Sequence, residues 1–439
     1  MSTSIPVSQP SRRMAYAAFA AMLSVYFFSY FQRAAIPGTI FNELQADLGL
    51  SAGAVASLGS MFTWIYGGMQ IVVGLLVARY GGVRMLLGGG LVMVAGACLF
   101  PMAHAVGPLF AARALTGLGA SFMYLSIIRE LDRLFDGRHF TLLVGVVLCV
   151  AYSGGMAATL PFERAAAAFG WRPSLLTVAA VMLVSLAVAG VILRQLGREP
   201  GGSRKFSLQP LGEVLRNRSC RALLASSLIA FPVYFVIQTV LGKKFLQDVG
   251  GLSSPTSALF ILVMTLGSAI IAMAGGYLPR LLGERRKPCL VGGALVLVAA
   301  VGVLLAGVLV RAPGWVYLLG FFFLASGAFA IPAGTATMKD LSQPHTVGPG
   351  IAVMNSLAYI GAGTIGQTGG LILNHYAGCA QASGAGLIYP RAAYVSFFGF
   401  LLALAVLNVI FTCLVPETGG RHGPVAAPAE ILADEGSIS

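Results

Sequence analysis

The chain has 439 residues, of which 57% are hydrophobic and only 10% are charged. This composition excludes an ordinary soluble globular protein and predicts an integral membrane protein. The net charge of +13 would suggest nucleic-acid binding in a soluble protein, so the positions of the charges decide what it means.

Twelve apolar segments along the chain are long enough to cross a bilayer. We interpret each as a helix, because lipid offers the backbone no hydrogen-bonding partner outside its own segment. The first segment is a retained helix rather than a cleaved signal, since Gln32-Arg33 interrupt it and no small-residue cleavage site lies nearby. In chain order the predicted spans are 15–40, 51–78, 85–104, 108–128, 139–161, 173–195, 220–243, 255–279, 288–310, 314–337, 346–374 and 391–414.

The longest polar stretch, 195–219, separates the first six spans from the last six. It is rich in glycine, proline and charge, which is typical of a linker. The sequence therefore predicts an all-α integral membrane fold of two pseudo-symmetric six-helix bundles. The predicted parts are a cytoplasmic tail (1–13), a first bundle (14–194), a cytoplasmic linker (195–219), a second bundle (220–415) and a cytoplasmic tail (416–439).

The basic residues indicate the orientation. With both termini in the cytoplasm, 20 of the 28 lysines and arginines lie on the cytoplasmic side, six lie on the opposite side, and Arg33 and Arg113 lie inside spans. This is the positive-inside pattern, so the basicity sets topology and no nucleic-acid partner is expected. Short loops and Gly- and Ala-rich spans favour a bacterial inner membrane. The six cysteines lack metal-ligand spacing, and we expect no metal, no cofactor and a monomer.

Similar loops follow the second and eighth spans. Each has glycines seven residues apart and then basic residues, which indicates an internal duplication around a pseudo-two-fold axis. We expect these loops to take part in gating. Their key residues are Gly74, Arg79, Gly81 and Arg84 in "GLLVARYGGVR", and Gly283 and Arg285 in "GYLPRLLGERRK".

These motifs make the chain similar to the major facilitator superfamily (MFS) of secondary transporters, over nearly its full length. The first loop resembles that family's loop signature, and "RALTGLGA" resembles its fourth-helix signature through Arg113, Gly117 and Gly119. The acidic residue usual in the loop signature is Ala78 here and Arg280 in the second copy. The resemblance implies a transporter whose Arg113 faces a central cavity and contributes to coupling. Further similar stretches are "FGWR" (169–172) and "GIAVMNSLAYIGAGTIGQTGG" (350–370).

Arg33 is a permanent charge inside the first span. Placing it against lipid would cost at least about 2.5–3.5 kcal/mol, so such residues usually face a bundle interior or a wet cavity. Tyr26, Tyr30 and Arg33 share one helix face, and Pro37 predicts a kink beside the charge. The alternative is that Arg33 reaches the outer headgroups or pairs with Glu43.

Arg113, Gly117 and Tyr124 lie within about 40° of one another on the fourth span, which predicts a second polar face. The alternative for Arg113 is a structural bond to neighbouring carbonyls. In the second half, Tyr234 with Gln238 and Asn355 with Tyr359 are spaced i, i+4 in the seventh and eleventh spans. They either join helices or contact solute.

Lys243 and Lys244 end the seventh span, where lysines ordinarily anchor in headgroups; the alternative is that one reaches the cavity mouth. No Asp, Glu or His lies at the centre of a span, so a cavity with two arginines has a positive potential that favours an anion. An imported anion then needs a coupled cation, a counter-anion, or a proton carried by the substrate, Glu163 or Glu130.

The sequence thus predicts alternating-access transport of a small organic anion or zwitterion of the carboxylate type, bound by Arg33 and Arg113 beside Tyr30, Tyr124, Gln238 and Asn355. An alternative is an efflux pump for amphipathic compounds. It is suggested by aromatic residues along the presumed path: Tyr26, Tyr30, Phe31, Tyr234 and Phe235. An intramembrane enzyme is disfavoured, because no base lies within the spans.

Overall fold

The computed structural model describes residues 11–135, 137–196, 209–383 and 386–419. The outer parts of the two predicted tails and about half of the predicted linker, 197–208, lie outside these residues. The described chain is almost entirely helical, as lipid-facing backbone must be. The helices of the first half are Arg12–Ala34 (α1), Phe41–Leu48 (α2), Ala52–Tyr80 (α3), Gly82–Met102 (α4), Val106–Leu134 (α5), Gly137–Ala157 (α6), Leu160–Phe169 (α7) and Trp171–Arg194 (α8).

The second half repeats this layout and adds a short antiparallel hairpin. Its helices are Gln209–Arg216 (α9), Arg218–Ser227 (α10), Ala230–Val236 (α11), Gly242–Asp248 (α12), Ser254–Leu281 (α13), Lys287–Val310 (α14), Gly314–Leu324 (α15), Ala330–Leu341 (α16), Val347–His375 (α17) and Arg391–Leu414 (α18). The hairpin pairs Gln381–Ser383 (β1) with Gly386–Ile388 (β2).

Among the described residues, eleven helices are long and apolar enough to cross a membrane. The twelfth, α17, has 29 residues but is rich in glycine, and it packs lengthwise against α3. The prediction of an all-α membrane fold with a twelve-helix, two-bundle layout is confirmed. Several spans run further than predicted: the fourth continues to Leu134, the fifth through α7 to Phe169, the seventh to Asp248 and the tenth to Leu341.

The first span breaks at the residue before Pro37. Ile36 leaves helical geometry at φ −119° and ψ 120°, so the segment Ala35–Thr39 is a kink between two helices. Proline lacks a backbone N–H and disfavours helical geometry in the residue before it, which accounts for the break. A π-helical segment, Ile237–Leu241, lies in the seventh span and touches the kinked segment Ala35–Thr39.

The two halves are joined at one end of the bundle. We call this the distal end; it holds the connecting segments 40–51, 249–253, 376–383 and 386–390, opposite to Arg12 and Leu414. In the described part of the chain, the first-half residues that hydrogen-bond to the second half all lie between Arg33 and Gly67. The linkage therefore runs from the distal loops to about the middle of α3.

Two glycines allow tight turns at the opposite end. Gly81 after α3 has φ 86° and Gly283 after α13 has φ 66°, a backbone region that glycine adopts without strain. Each turn has a buried carboxylate beside it. Glu130 accepts from the Val83 N–H at 3.0 Å, and Asp340 accepts from Arg286 at 3.0 Å. The two halves thus reinforce equivalent loops in similar ways.

Candidate functional site

A small cavity lies between the halves, beside the break in the first span. None of the described residues that line it is acidic, and Arg33 supplies its permanent charge. Most of the remaining lining is aromatic or aliphatic. The lining residues are Tyr30, Arg33, Ala34, Tyr152, Gly155, Phe231, Tyr234, Phe235, Gln238, Thr239, Thr265 and Ile331.

Aromatic rings surround the Arg33 guanidinium. Its central carbon lies 4.4 Å from the centroid of Tyr30, 4.5 Å from that of Tyr66 and 4.9 Å from that of Tyr359. Phe62 lies further away, at 5.9 Å. A cation–π contact contributes about 0.5–1 kcal/mol at an exposed site and about 2 kcal/mol or more in a desolvated one, so the rings compensate part of the cost of burying the charge.

One edge of this guanidinium has no protein partner. Nη1 donates to the Tyr359 hydroxyl at 2.6 Å, whereas Nε and Nη2 are buried and form no hydrogen bond. Arg33 is only 3% exposed and pairs with no carboxylate of the described chain. Nε and Nη2 lie side by side on the guanidinium plane, which is the arrangement that holds the two oxygens of a carboxylate. The alternative pairing with Glu43 does not occur.

Arg113 is engaged differently. Nε donates to the Leu58 carbonyl at 3.1 Å, Nη1 to that of Gln32 at 3.1 Å and Nη2 to that of Ile36 at 2.9 Å. Ile36 lies at the helix break, and the Ile40 N–H that would normally reach its carbonyl donates to Pro37 instead. Arg113 therefore stabilises the broken first span, and it is absent from the cavity lining.

A family model described as Major Facilitator Superfamily matches residues 22–364 of this chain. The chain belongs to the Major Facilitator Superfamily. The resemblance seen in the sequence motifs is thereby confirmed, and the protein is a transporter rather than an enzyme. No curated protein sequence matches the chain.

Solved structures of other MFS proteins have the same fold. A bacterial homologue of the human lysosomal transporter Spinster, inward-facing and unoccupied, has a TM-score of 0.77 at 14% identity, covering 95% of this chain and 100% of its own. The peptide transporter POT in complex with sulfate has a TM-score of 0.71 at 16% identity, covering 95% and 98%. A variant of the nucleoside transporter NupG has a TM-score of 0.73 at 10% identity, covering 91% and 99%.

The predicted site residues are only partly brought together in this MFS fold. Tyr30, Arg33, Tyr234 and Gln238 line the cavity, and Gln238 Nε2 donates to Thr265 Oγ1 at 2.8 Å. Tyr359 lies behind Arg33 as its hydrogen-bond partner. Tyr124, whose ring centroid lies 6.2 Å from that of Tyr26, and the half-buried Asn355 are not among the lining residues, and neither is Arg113.

Several residues around Arg33 or in the cavity wall were not predicted from the sequence. Phe62 and Tyr66 contact Arg33 from the second span, and their i, i+4 spacing was the available signal. Tyr152, Phe231 and Thr265 complete the wall, and in the sequence they resemble ordinary apolar or packing positions. Phe31, which the sequence suggested as part of a path, packs against Phe162 at 5.2 Å within the first half instead.

The predicted gating residues occupy the turns opposite to the distal end. Arg79, Arg84 and Arg285 are exposed there, beside Gly81 and Gly283. Gly74 lies within α3, and a Cβ on it would stand 3.9 Å from Leu125 Cδ1, which is an ordinary van der Waals contact. A Cβ on Gly117 would stand 2.7 Å from the Phe62 carbonyl oxygen, so this glycine permits α5 to cross α3 closely.

Lys243 and Lys244 do not anchor in headgroups, and that expectation is wrong. Lys243 is 5% exposed and donates to the Thr39 carbonyl at 2.5 Å, across the two halves. Lys244 is 1% exposed, pairs with Asp248 at 2.7 Å and donates to the Leu387 carbonyl. Each lysine is held inside the distal closure, and neither lines the cavity.

Proposed function

We propose that this MFS protein is a secondary active transporter for a small organic anion or zwitterion bearing a carboxylate, and that it works by alternating access. The observation that supports this most directly is the buried, unpartnered Nε–Nη2 edge of Arg33 beside the cavity. A buried donor without a partner costs about 1–3 kcal/mol, more when it is charged, so an acceptor that fills the position is stabilised. A carboxylate fits the two parallel N–H groups and neutralises the charge.

Alternating access is supported by where the halves meet. The distal end is closed by contacts such as Lys243 to Thr39, while Arg33 joins the halves near the middle of the bundle. A cargo bound to Arg33 therefore lies where the relative position of the halves is set. Rocking of two six-helix bundles around such a site would expose it to each side in turn.

The proposal includes orientation and coupling. The protein lies in a bacterial inner membrane with both termini on the cytoplasmic side, and it works as a monomer. Inward movement of one negative charge against an inside-negative potential costs about 2.3 kcal/mol per 100 mV, so uptake is coupled to a proton or exchanged for a counter-anion. Glu163 is a candidate proton carrier, because it is 4% exposed and its Oε2 forms no hydrogen bond.

The test is Arg33→Lys in proteoliposomes loaded and fed with carboxylate metabolites. Lysine keeps the charge but lacks the paired N–H edge, so we expect uptake to fall by about tenfold or more while the folded protein persists. Arg164→Lys at the distal surface is the matched control and should transport normally. Unchanged uptake by Arg33→Lys would refute the assignment.

A second candidate is export of amphipathic compounds, and the aromatic cavity wall favours it. Neutral amphipathic dyes distinguish the two functions, because their transport would not require the Arg33 guanidinium. Export of such dyes that is insensitive to Arg33→Lys would support this function over the first.

A further inference from the structure

We infer that the cargo is a monocarboxylate with a planar apolar body, such as an aromatic acid, rather than a polyanion or a zwitterion. This inference rests on the proposed function and specifies its substrate class. It follows from the chemistry of the cavity wall as a whole. Arg33 is the one positive group in the described wall, and most of the other lining side chains are aromatic or aliphatic.

The charge of the cavity limits the charge of the cargo. Arg33 is the only cation among the described lining residues, and no acidic side chain is present there to meet an ammonium group. The hydroxyl and amide groups of the described wall can solvate a polar atom, but a second carboxylate would find no second cation there and an ammonium no carboxylate, and burying a charge without an opposite charge costs several kcal/mol. A single negative charge is therefore matched to this site.

The aromatic residues of the cavity wall favour a cargo whose apolar part is planar. Phe231 and Phe235 line the second-half side and pack edge-on against Tyr359, at 5.6 and 5.9 Å between centroids. Tyr30 and Tyr152 line the first-half side at 6.2 Å from each other. A planar body between these walls would gain both apolar burial and ring–ring contacts, which favour offset or edge-to-face geometry.

The position of the carboxylate is fixed by the rings around Arg33. Tyr30 and Tyr66 hold the guanidinium from two ring faces, and the Tyr359 hydroxyl holds Nη1. Only the Nε–Nη2 edge is left for the cargo. The carboxylate and the apolar body are thus assigned to different surfaces of one cavity.

The experiment compares benzoate, acetate and citrate as ligands of the purified protein by calorimetry and thermal shift. We expect benzoate to bind at least about tenfold more tightly than acetate or citrate, because its ring adds apolar burial and aromatic contact. Phe231→Leu keeps apolar volume and should weaken benzoate several-fold while leaving acetate unchanged. Phe323→Leu, at an exposed phenylalanine outside the cavity, is the control and should change neither.

The outcomes separate this inference from the proposed function. Tighter binding of citrate or acetate than of benzoate, lost in Arg33→Lys, would overturn the inference and leave the carboxylate transporter standing. Binding of none of the three, with binding of a neutral aromatic amide such as benzamide, would overturn both. Equal weakening of benzoate by Phe231→Leu and Phe323→Leu would also refute the assigned wall.

Discussion

Arg33 Nη1 donates a 2.6 Å hydrogen bond to the hydroxyl of Tyr359, and this bond links the first span of one half to α17 of the other. The residue that we propose to hold the cargo is therefore also a residue that connects the halves. Cargo binding at the Nε–Nη2 edge of Arg33 and separation of the halves at the Arg33–Tyr359 bond therefore involve the same side chain.

Removing only the hydroxyl tests this link. Tyr359→Phe keeps the ring beside the guanidinium but removes a hydrogen bond from a charged donor, which contributes about 1.5–3 kcal/mol. We expect the distal end to open more often, measured as faster labelling of a cysteine placed at Asn42 in a cysteine-free background. Tyr376→Phe is the control, because it removes a bond to Ser396 within one half. Equal labelling in both variants would contradict the link.

Two adjacent glycines in α3 test how closely the halves pack. A Cβ on Gly67 would stand 2.9 Å from the Ser356 carbonyl oxygen and 3.0 Å from Tyr359 Cβ, whereas a Cβ on Gly68 would meet nothing within 4 Å. We expect Gly67→Ala to push α3 from α17 and reduce transport severely. Gly68→Ala should remain near the original rate. Normal uptake by Gly67→Ala would show that the contact is not required in the transport cycle.

Arg113 should behave as a structural residue. Arg113→Met would leave the carbonyls at the break in the first span without their side-chain donors, and a buried unsatisfied group costs about 1–3 kcal/mol. We expect a loss of at least about 2 kcal/mol in unfolding free energy in detergent, even without ligand. Arg33→Lys should lose much less. Normal stability of Arg113→Met combined with lost carboxylate binding would instead indicate a role in cargo binding.

The buried pair Lys244–Asp248 should stabilise the distal hairpin. Asp248 also accepts from the Tyr389 N–H at 3.0 Å and from the Tyr394 hydroxyl at 2.7 Å. Asp248→Asn leaves the Lys244 charge buried and uncompensated, which costs about 3–5 kcal/mol. Lys244→Met in the same chain should restore part of this loss, and a double-mutant cycle on unfolding measures the coupling. Additive losses would mean that the pair contributes no coupling energy.

Glu417, outside the spans, should make stability depend on pH. Burial raises its pKa, but backbone N–H groups of Gly419, Arg286, Lys287 and Thr418 bind the carboxylate and together lower the pKa below its usual value. Because the folded pKa is lower than the unfolded one of about 4.3, the stabilisation is present above that pH and is lost as pH falls through the folded pKa.

The corresponding measurement is the thermal midpoint against pH for the original chain and for Glu417→Gln. We expect the original chain to be more stable at pH 7 and the difference to shrink below about pH 4. A difference that stays constant over this range would exclude Glu417 as the source.

The spans and the twofold repeat were predictable from the sequence because each depends on local chemistry. A run of apolar residues must form a helix in lipid, and a glycine followed by basic residues marks a turn at the membrane surface. Arg33 was recognisable for the same reason, since an intramembrane charge is costly wherever the neighbours lie. The break at Pro37 also follows from its own chemistry.

The partners of these residues were decided by tertiary structure. Arg33 and Arg113 look alike as isolated charges, yet one faces a cavity and the other binds carbonyls exposed by the helix break. Lys243 and Lys244 look like surface anchors, yet both are buried: Lys243 bonds to Thr39 of the other half, and Lys244 is held by Asp248 and the hairpin of its own half. The sequence alone determined which segments cross the membrane and where charge is buried, since those costs are paid residue by residue. Which charge stayed free for a ligand depended on carbonyls and rings far away in the chain, and only the packing of the two halves brought these together.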